Sequence, residues 1–194
     1  SVTSSRSTGC PCSARWRRGP RPAGYREDLQ FRDWTIECMV KITTTNVNGD
    51  LFRFSTRLGP ESSLVYRLSL LNGAPILRAQ FAAKSQIVTN QANVLPTNQW
   101  VHLAGVWDSG NNAMSLYVGG VVAQQMTVVD DTAGSLLYPA TNLPALAVSA
   151  DGSFVNQLTL DEVRIWGIAR PAALITEYAN RLVPQGCGDD VWIG

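Results

Sequence analysis

Charge is scarce in this 194-residue chain: 16% of its residues are Asp, Glu, Lys or Arg, against about 25% in an ordinary globular domain. Sixteen basic and fifteen acidic residues leave a net charge of +1, which excludes a strongly acidic or strongly basic protein as a whole. Histidine occurs once, as His102, and cysteine four times. Cys10-Pro11-Cys12 has one intervening residue, not the two of a zinc ribbon or a thioredoxin-like pair, so no zinc-ligand spacing is recognisable. The uncharged runs 109–129 and 132–150 are interrupted by Asn, Gln, Ser, Gly or Pro. Neither supplies the ~20 predominantly apolar residues of a membrane span. Walker-type loops and dinucleotide glycine fingerprints are missing. His102 has no Ser or Cys neighbour that marks a nucleophile and reads as a strand residue bonded across a sheet. No strand alternates acids as E-x-D-x-E, the pattern that would gather the two carboxyls, roughly 5–5.5 Å apart, of a retaining glycosidase. Asp161 and Glu162 are adjacent, so strand geometry is expected to point them to opposite faces.

What charge there is lies unevenly. Residues 1–26 hold Arg6, Arg15, Arg17, Arg18, Arg21 and Arg26 with no acid, and they contain no Leu, Ile or Phe. Such a stretch buries too little apolar surface to offset the entropy of ordering it. It reads as a basic arm or linker, and it lacks the apolar run of a signal peptide. A basic arm can engage nucleic acid or an anionic membrane, but charge runs are more often simply solvated, so nucleic acid is not the expected partner. The body, residues 27–184, carries the core, and 185–194 form a tail. Cys38 falls in an apolar alternation and reads as a buried thiol. A disulfide from Cys187 to Cys10 or Cys12 is open to an exported protein, with its connectivity unfixed by spacing.

From residue 29 onward the apolar period is two. Trp34, Ile36, Cys38 and Val40 alternate with Thr35, Glu37, Met39 and Lys41, the pattern of a half-buried strand. Further strands are expected at 51–56, 64–71, 76–81, 87–89, 100–107, 113–118, 121–129, 145–149 and 158–166, with an irregular loop over 132–144. Asn72-Gly73 and Gly119-Gly120 fit two-residue hairpin turns. One helix is expected over 171–182, where Pro171 suits the first turn and Leu174, Ile175, Tyr178 and Leu182 keep helical spacing. Sixteen glycines and ten prolines supply the turns. About ten short strands at regular spacing argue for an all-β, two-sheet antiparallel sandwich or jelly roll with one short C-terminal helix.

Three segments carry a family resemblance. Trp100-Val101-His102-Leu103-Ala104-Gly105-Val106-Trp107-Asp108, followed by Met114-Ser115-Leu116-Tyr117-Val118-Gly119-Gly120-Val121, resembles the W-x-H-v-A-x-v-y-D and l-y-v-D-G hairpin of laminin-G-like, concanavalin A-like jelly-roll domains. Asp151-Gly152, Leu160-Asp161-Glu162-Val163-Arg164-Ile165-Trp166 and Ala169-Arg170 are similar to their closing D-G and I-D-E-V-R-I-w-n-x-A-r segment. Trp34–Lys41 is similar to their opening strand. Gly119 stands where these domains usually have Asp, and Met39 where they have Trp. A Gly/Asp-rich N-terminal loop that often helps bind calcium in related domains is replaced here by the arginine-rich stretch. The resemblance implies two curved sheets that bind glycans or proteins on a concave face or loop rim, outside the cell or on a particle surface.

Candidate site residues follow from that frame. Glu162, Arg164 and Trp166 are expected on one strand face, opposite Val163 and Ile165, where an ion pair beside an aromatic can dock a sugar; a cross-strand salt bridge with a packed Trp is the structural alternative. Trp107 is a further ligand candidate, whereas Trp34 and Trp100 are assigned to the core. Asp161, with Asp151, is the calcium candidate, since calcium takes 6–8 oxygen ligands; the alternative is a carboxylate that accepts turn N–H bonds. Asp108 reads as a turn residue and Asp130-Asp131 as loop acids. The expected role is non-catalytic recognition of glycan. A structural or assembly role through protein contacts, and a divergent polysaccharide hydrolase or lyase, stand as alternatives.

Overall fold

The computed structural model describes residues 31–55, 64–81, 85–89, 93–128, 143–148, 155–179 and 181. The arm 1–26, the tail 185–194, Cys10, Cys12, Cys187, Asp130, Asp131 and Asp151 lie outside them. Ten strands and one helix follow in chain order: β1 Trp34–Ile42, β2 Gly49–Ser55, β3 Leu64–Leu71, β4 Ala74–Gln80, β5 Ser85–Thr89, β6 Val101–Asp108, β7 Ala113–Val118, β8 Val121–Thr127, β9 Leu143–Val148, β10 Leu158–Trp166 and α1 Ala172–Tyr178. They form two five-stranded sheets, sheet I in the order β10-β1-β6-β7-β8 and sheet II in the order β5-β4-β3-β2-β9. Every strand pairing within the sheets is antiparallel. The chain opens in sheet I, runs β2 to β5 as a meander in sheet II, returns for β6 to β8, and closes with β9 in sheet II and β10 in sheet I. This is the two-sheet antiparallel sandwich with one short helix that the period-two pattern implies.

Alternation decides which side chains meet between the sheets. Trp34, Ile36, Cys38 and Val40 of β1 point inward and are fully buried. Across from them, Tyr66 of β3 stacks on Trp34 with ring centroids 4.6 Å apart, and Phe81 packs edge-on to Trp107 at 4.8 Å. Gly105 of β6 leaves room for Leu77 of β4: an added Cβ would lie 2.4 Å from Leu77 Cδ1. The hairpin turns form as their residues dictate: Asn72 and Gly73 have φ of 50° and 73°, and Gly119 and Gly120 have 60° and 81°. Two successive positive φ values are what a two-residue turn needs to match strand twist.

Some boundaries differ from the sequence reading. Leu143 and Pro144 belong to β9 rather than to a loop; β9 is the edge of sheet II, the position where a missing N–H is tolerated. Trp100 precedes β6 and is 43% exposed, so its assignment to the core is corrected. Its ring lies outside the strand alternation, under the Lys41 ammonium at 5.0 Å. Cys38 is buried as expected, and burial together with the adjacent Glu37 charge pushes its thiol up to about 12.

A second, smaller core lies on the outward side of sheet I. Ile175 of α1 packs with Ala104, Val106 and Tyr117. The helix reaches the β7–β8 turn through Thr176, whose hydroxyl donates to the Gly120 carbonyl at 2.6 Å. Gly120 is required there twice over. Its φ is positive, and a Cβ would meet Ala179 Cβ at 2.7 Å and Thr176 Cα at 3.1 Å. Gly120→Ala is therefore expected to destabilise the protein by about 1–3 kcal/mol through overpacking and backbone strain, read as a lower urea midpoint. An unchanged midpoint would show that α1 does not rest on this turn.

Candidate functional site

Residues expected from the sequence to form a ligand site come together on β10, but not as an open surface. The β1–β10 register shifts between Glu37 and Met39, where Glu37 faces Arg164 and Met39 faces Asp161. Two residues of β10, Glu162 and Val163, thus oppose Cys38 alone, which is a β-bulge. Glu162 takes φ 50°, and its N–H is accepted by Asp161 Oδ1 at 2.8 Å. The bulge breaks the alternation that was expected to send Asp161 and Glu162 to opposite faces. Glu162 shares the outward side with Arg164, as residues two apart in a strand do, and Arg164 Nη2 donates to Glu162 Oε2 at 2.7 Å. The expected ion pair exists.

Glu37, not Glu162, is the centre of this cluster. Its carboxylate has no exposure. Oε1 accepts from Arg170 Nη1, while Oε2 lies 3.4 Å from His102 Nε2 and 3.5 Å from Arg164 Nη1. Two carboxylates, Glu37 and Glu162, thus face two guanidiniums, Arg164 and Arg170. Burial by itself would push the Glu37 carboxyl up; the bond to His102 and the charge of Arg170 outweigh it and hold the carboxyl below its ordinary value. Arg170 also lies 4.2 Å above the Trp166 ring and 5.4 Å from that of Tyr178. Thr35 ties the same segment down, its hydroxyl donating to the Ile168 carbonyl at 2.8 Å and accepting from the Arg170 N–H at 2.9 Å.

Trp166 is consequently buried beneath Arg170, and Trp107 is buried between the sheets against Phe81. The expectation that these two rings offer a sugar-docking surface is corrected: the first is capped by the closing segment, and the second points inward by strand alternation. Arg164 is also buried, so the Glu162–Arg164 pair belongs to the tether rather than to an open groove. Asp161 is exposed, with one carboxylate oxygen engaged by the Glu162 N–H. Among the described residues no three His, Cys, Asp or Glu side chains gather as metal ligands. Asp151, the other calcium candidate, lies outside the described residues.

The outward face of sheet II holds a group that the sequence reading passed over. Arg53 of β2 is directly opposite Arg67 of β3, and Arg67 is directly opposite Arg78 of β4. Their chain neighbours Phe52, Phe54, Tyr66, Leu68, Leu77 and Ala79 are core residues, so alternation sends all three arginines to the other side. Asp50 joins the row because Leu51 is an extra residue in β2, where the register slips between Asp50 and Phe52. Its carboxylate bridges Arg53 Nη1 at 3.4 Å and Arg67 Nη1 at 3.5 Å. Arg78 Nε donates to Ser85 Oγ at 2.6 Å. Exposure rises along the row, from 1% for the Arg53 side chain to 16% for that of Arg67. An arginine flanked by apolar residues in each of three expected strands was the available signal; the row appears only when strand order and register are known.

Comparisons with known proteins agree with this architecture. Residues 23–176 match the model of a family described as the concanavalin A-like lectin/glucanases superfamily. Among solved structures, a native heptameric SAP-like pentraxin from Limulus polyphemus aligns with TM-score 0.60 and 19% identity, over 84% of this chain and 77% of that one. The IT-sialidase CBM40 of Ruminococcus gnavus, solved with α2,3-sialyllactose, aligns with TM-score 0.63 and 12% identity, over 81% and 92%. Domain 4 of AbnA, a GH43 extracellular arabinanase from Geobacillus stearothermophilus solved with arabinotriose, aligns with TM-score 0.54 and 22% identity, over 77% and 68%. The chain spans less than two fifths of the length of the mosquitocidal and botulinum toxin binding domains that it also matches. No curated protein sequence matches it.

The Glu37 cluster gives a pH signature. A carboxyl held below its ordinary value of 4.5 adds stability that is complete above that value and is lost as the pH falls through its lower folded value. Glu37→Gln leaves two guanidiniums facing a neutral amide and is expected to cost about 3–5 kcal/mol near neutral pH. The gap from the parent should narrow as the pH drops toward about 3. Urea unfolding of both proteins across that range measures it, and a gap independent of pH would contradict the pairing.

Proposed function

The chain belongs to the concanavalin A-like lectin/glucanases superfamily, and on that premise we propose that it is a recognition module that binds glycan without transforming it. The observation that supports this reading most is the fold it shares with two modules solved with oligosaccharides, the CBM40 with sialyllactose and the AbnA domain with arabinotriose. The side chains agree with it. Glu162 is engaged with Arg164, and Glu37 is sealed beneath Arg170. Sheet I turns its outward face to the segment 167–179, so ligand is assigned to sheet II or to the loop rim. The body 27–184 is the binding unit in this reading.

A second reading has one specific observation in its favour. β8 is the edge of sheet I, carries no charge in Val121–Thr127, and exposes Val121 at 66% and Val122 at 45%. Uncharged edge strands are sites of strand pairing with other chains, which is how a protein partner would be engaged. No helix of the described residues is long and apolar enough to cross a membrane.

A glycan array probed with and without calcium tests the main reading. Binding to at least one oligosaccharide class is expected, with the bound sugar recovered intact. An array blank in both conditions contradicts glycan recognition, and product formation abolished by Glu162→Gln would make the protein an enzyme. Light scattering tests the second reading: a stable oligomer dispersed by Val122→Lys supports it, and a monomer at all concentrations removes it.

A further inference from the structure

We propose that Trp100 and Lys41 form the sugar platform of this protein. One pyranose ring of a saccharide lies with its C–H face on the exposed part of the Trp100 indole, and the Lys41 ammonium donates to a hydroxyl oxygen of the same sugar. This deepens the glycan reading above, rests on it, and places the ligand at the loop rim rather than on sheet II. The cover over sheet I runs out at this end. Along β1, Thr35 and Glu37 are fully buried under the segment that carries Ile168 and Arg170, whereas Met39 and Lys41 are only partly buried. Along β6, Val106, Ala104 and His102 are buried, while Trp100, just before the strand, is 43% exposed. On β10, Trp166 and Arg164 are buried, while Asp161 and Thr159, directly opposite Met39 and Lys41, are exposed. These three strands are neighbours in the sheet, and all three open at the same end.

Trp100 is the one exposed aromatic ring among the described residues. Tryptophan is highly buried on average, and the apolar C–H face of a pyranose covers an indole as a core neighbour would. The ring is held in place. The Asn98 N–H donates to the Ile42 carbonyl at 2.7 Å, and Thr97 bridges Ile42 in parallel, so the approach to β6 is pinned to the end of β1. Asn98 takes φ 58° in that approach. Lys41 Nζ then lies 5.0 Å from the Trp100 ring centroid. A platform fixed in this way loses little freedom when a ligand arrives. Among the described residues Lys41 forms no ion pair, so the donors of its ammonium are left for oxygen acceptors such as hydroxyls. Thr159, directly across from Lys41, and the exposed Gln99 beside Trp100 add polar groups around the ring.

The test uses the full 194-residue chain, with lactose, cellotriose and sialyllactose as probes. Titration followed by the indole Nε1–H resonances of isotope-labelled protein reads the contact directly, and the Trp100 resonance is the one missing from Trp100→Phe. On saturation it is expected to shift, while those of the buried Trp34, Trp107 and Trp166 hold still. Trp100→Ala is expected to weaken binding about tenfold. Trp100→Phe, which keeps a smaller ring, and Lys41→Gln, which removes the charge, should each weaken it less. A Trp100 that only supported the loop would lower affinity when replaced, but its resonance in the parent would not follow the sugar. Should Trp100→Ala fail to fold, that resonance shift still decides. Saccharide binding that leaves the Trp100 resonance unmoved, or that is unchanged in folded Trp100→Ala, overturns the inference and leaves glycan recognition standing. Binding of none of the three probes beside a positive glycan array overturns this inference alone. A blank array as well defeats the reading beneath it.

Discussion

A carboxylate with no exposure in the middle of a sheet demands partners, because removing one charge of a buried pair leaves the other uncompensated at a cost of several kcal/mol. Glu37 sets that demand here. Its neighbours in sheet I supply His102 and Arg164, but the contact to Oε1 comes from Arg170, 133 residues farther along the chain. Satisfying Glu37 therefore fixes where the segment after β10 must lie. The segment after β10 folds back over sheet I, Thr35 catches it by both a carbonyl and an N–H, and α1 completes the cover by burying Ile175. The cover over the outward side of sheet I thus combines that pairing with the Thr35 bonds and the Ile175 contact.

Two β-bulges do corresponding work in the two sheets. In β10 the extra residue puts Glu162 at a positive φ, with its N–H on the Asp161 carboxylate. In β2 the extra Leu51 brings Asp50 onto the side of Arg53, three residues away, whereas a regular strand would separate them. In β2 the carboxylate thereby reaches an arginine that strict alternation would deny it. One result is a tether that closes a face, and the other is a charged row on the opposite face. The difference lies in what covers them: Arg170 and α1 seal the first, while in the second exposure rises from Arg53 to Arg67.

Much of the fold was legible because its determinants are local. Alternation in Trp34–Val40 marked an inward face, Asn72-Gly73 and Gly119-Gly120 marked turns, and the closing Asp161–Trp166 strand marked the end of the sandwich. The site was less legible, for reasons that can be named. Period two fails by one residue at a bulge, so Asp161 and Glu162 were placed on opposite faces when they share one. Burial of Trp166 depends on Arg170, which lies beyond the strand and cannot be placed by periodicity. Trp100 has the composition of a core residue but precedes the strand that would have turned it inward. The arginine row is invisible to any single strand, since Arg53, Arg67 and Arg78 become neighbours only through the β2-β3-β4 register.

The central claim is that the outward face of sheet I is covered by its own chain, so that ligand is proposed to bind on sheet II or the loop rim. A crystal structure of the protein with a bound oligosaccharide tests it most directly. The account predicts sugar density over sheet II or the loop rim, with Arg170 still on Glu37. Density over Trp166 and Glu162, with the segment 167–179 displaced to admit it, would contradict the account.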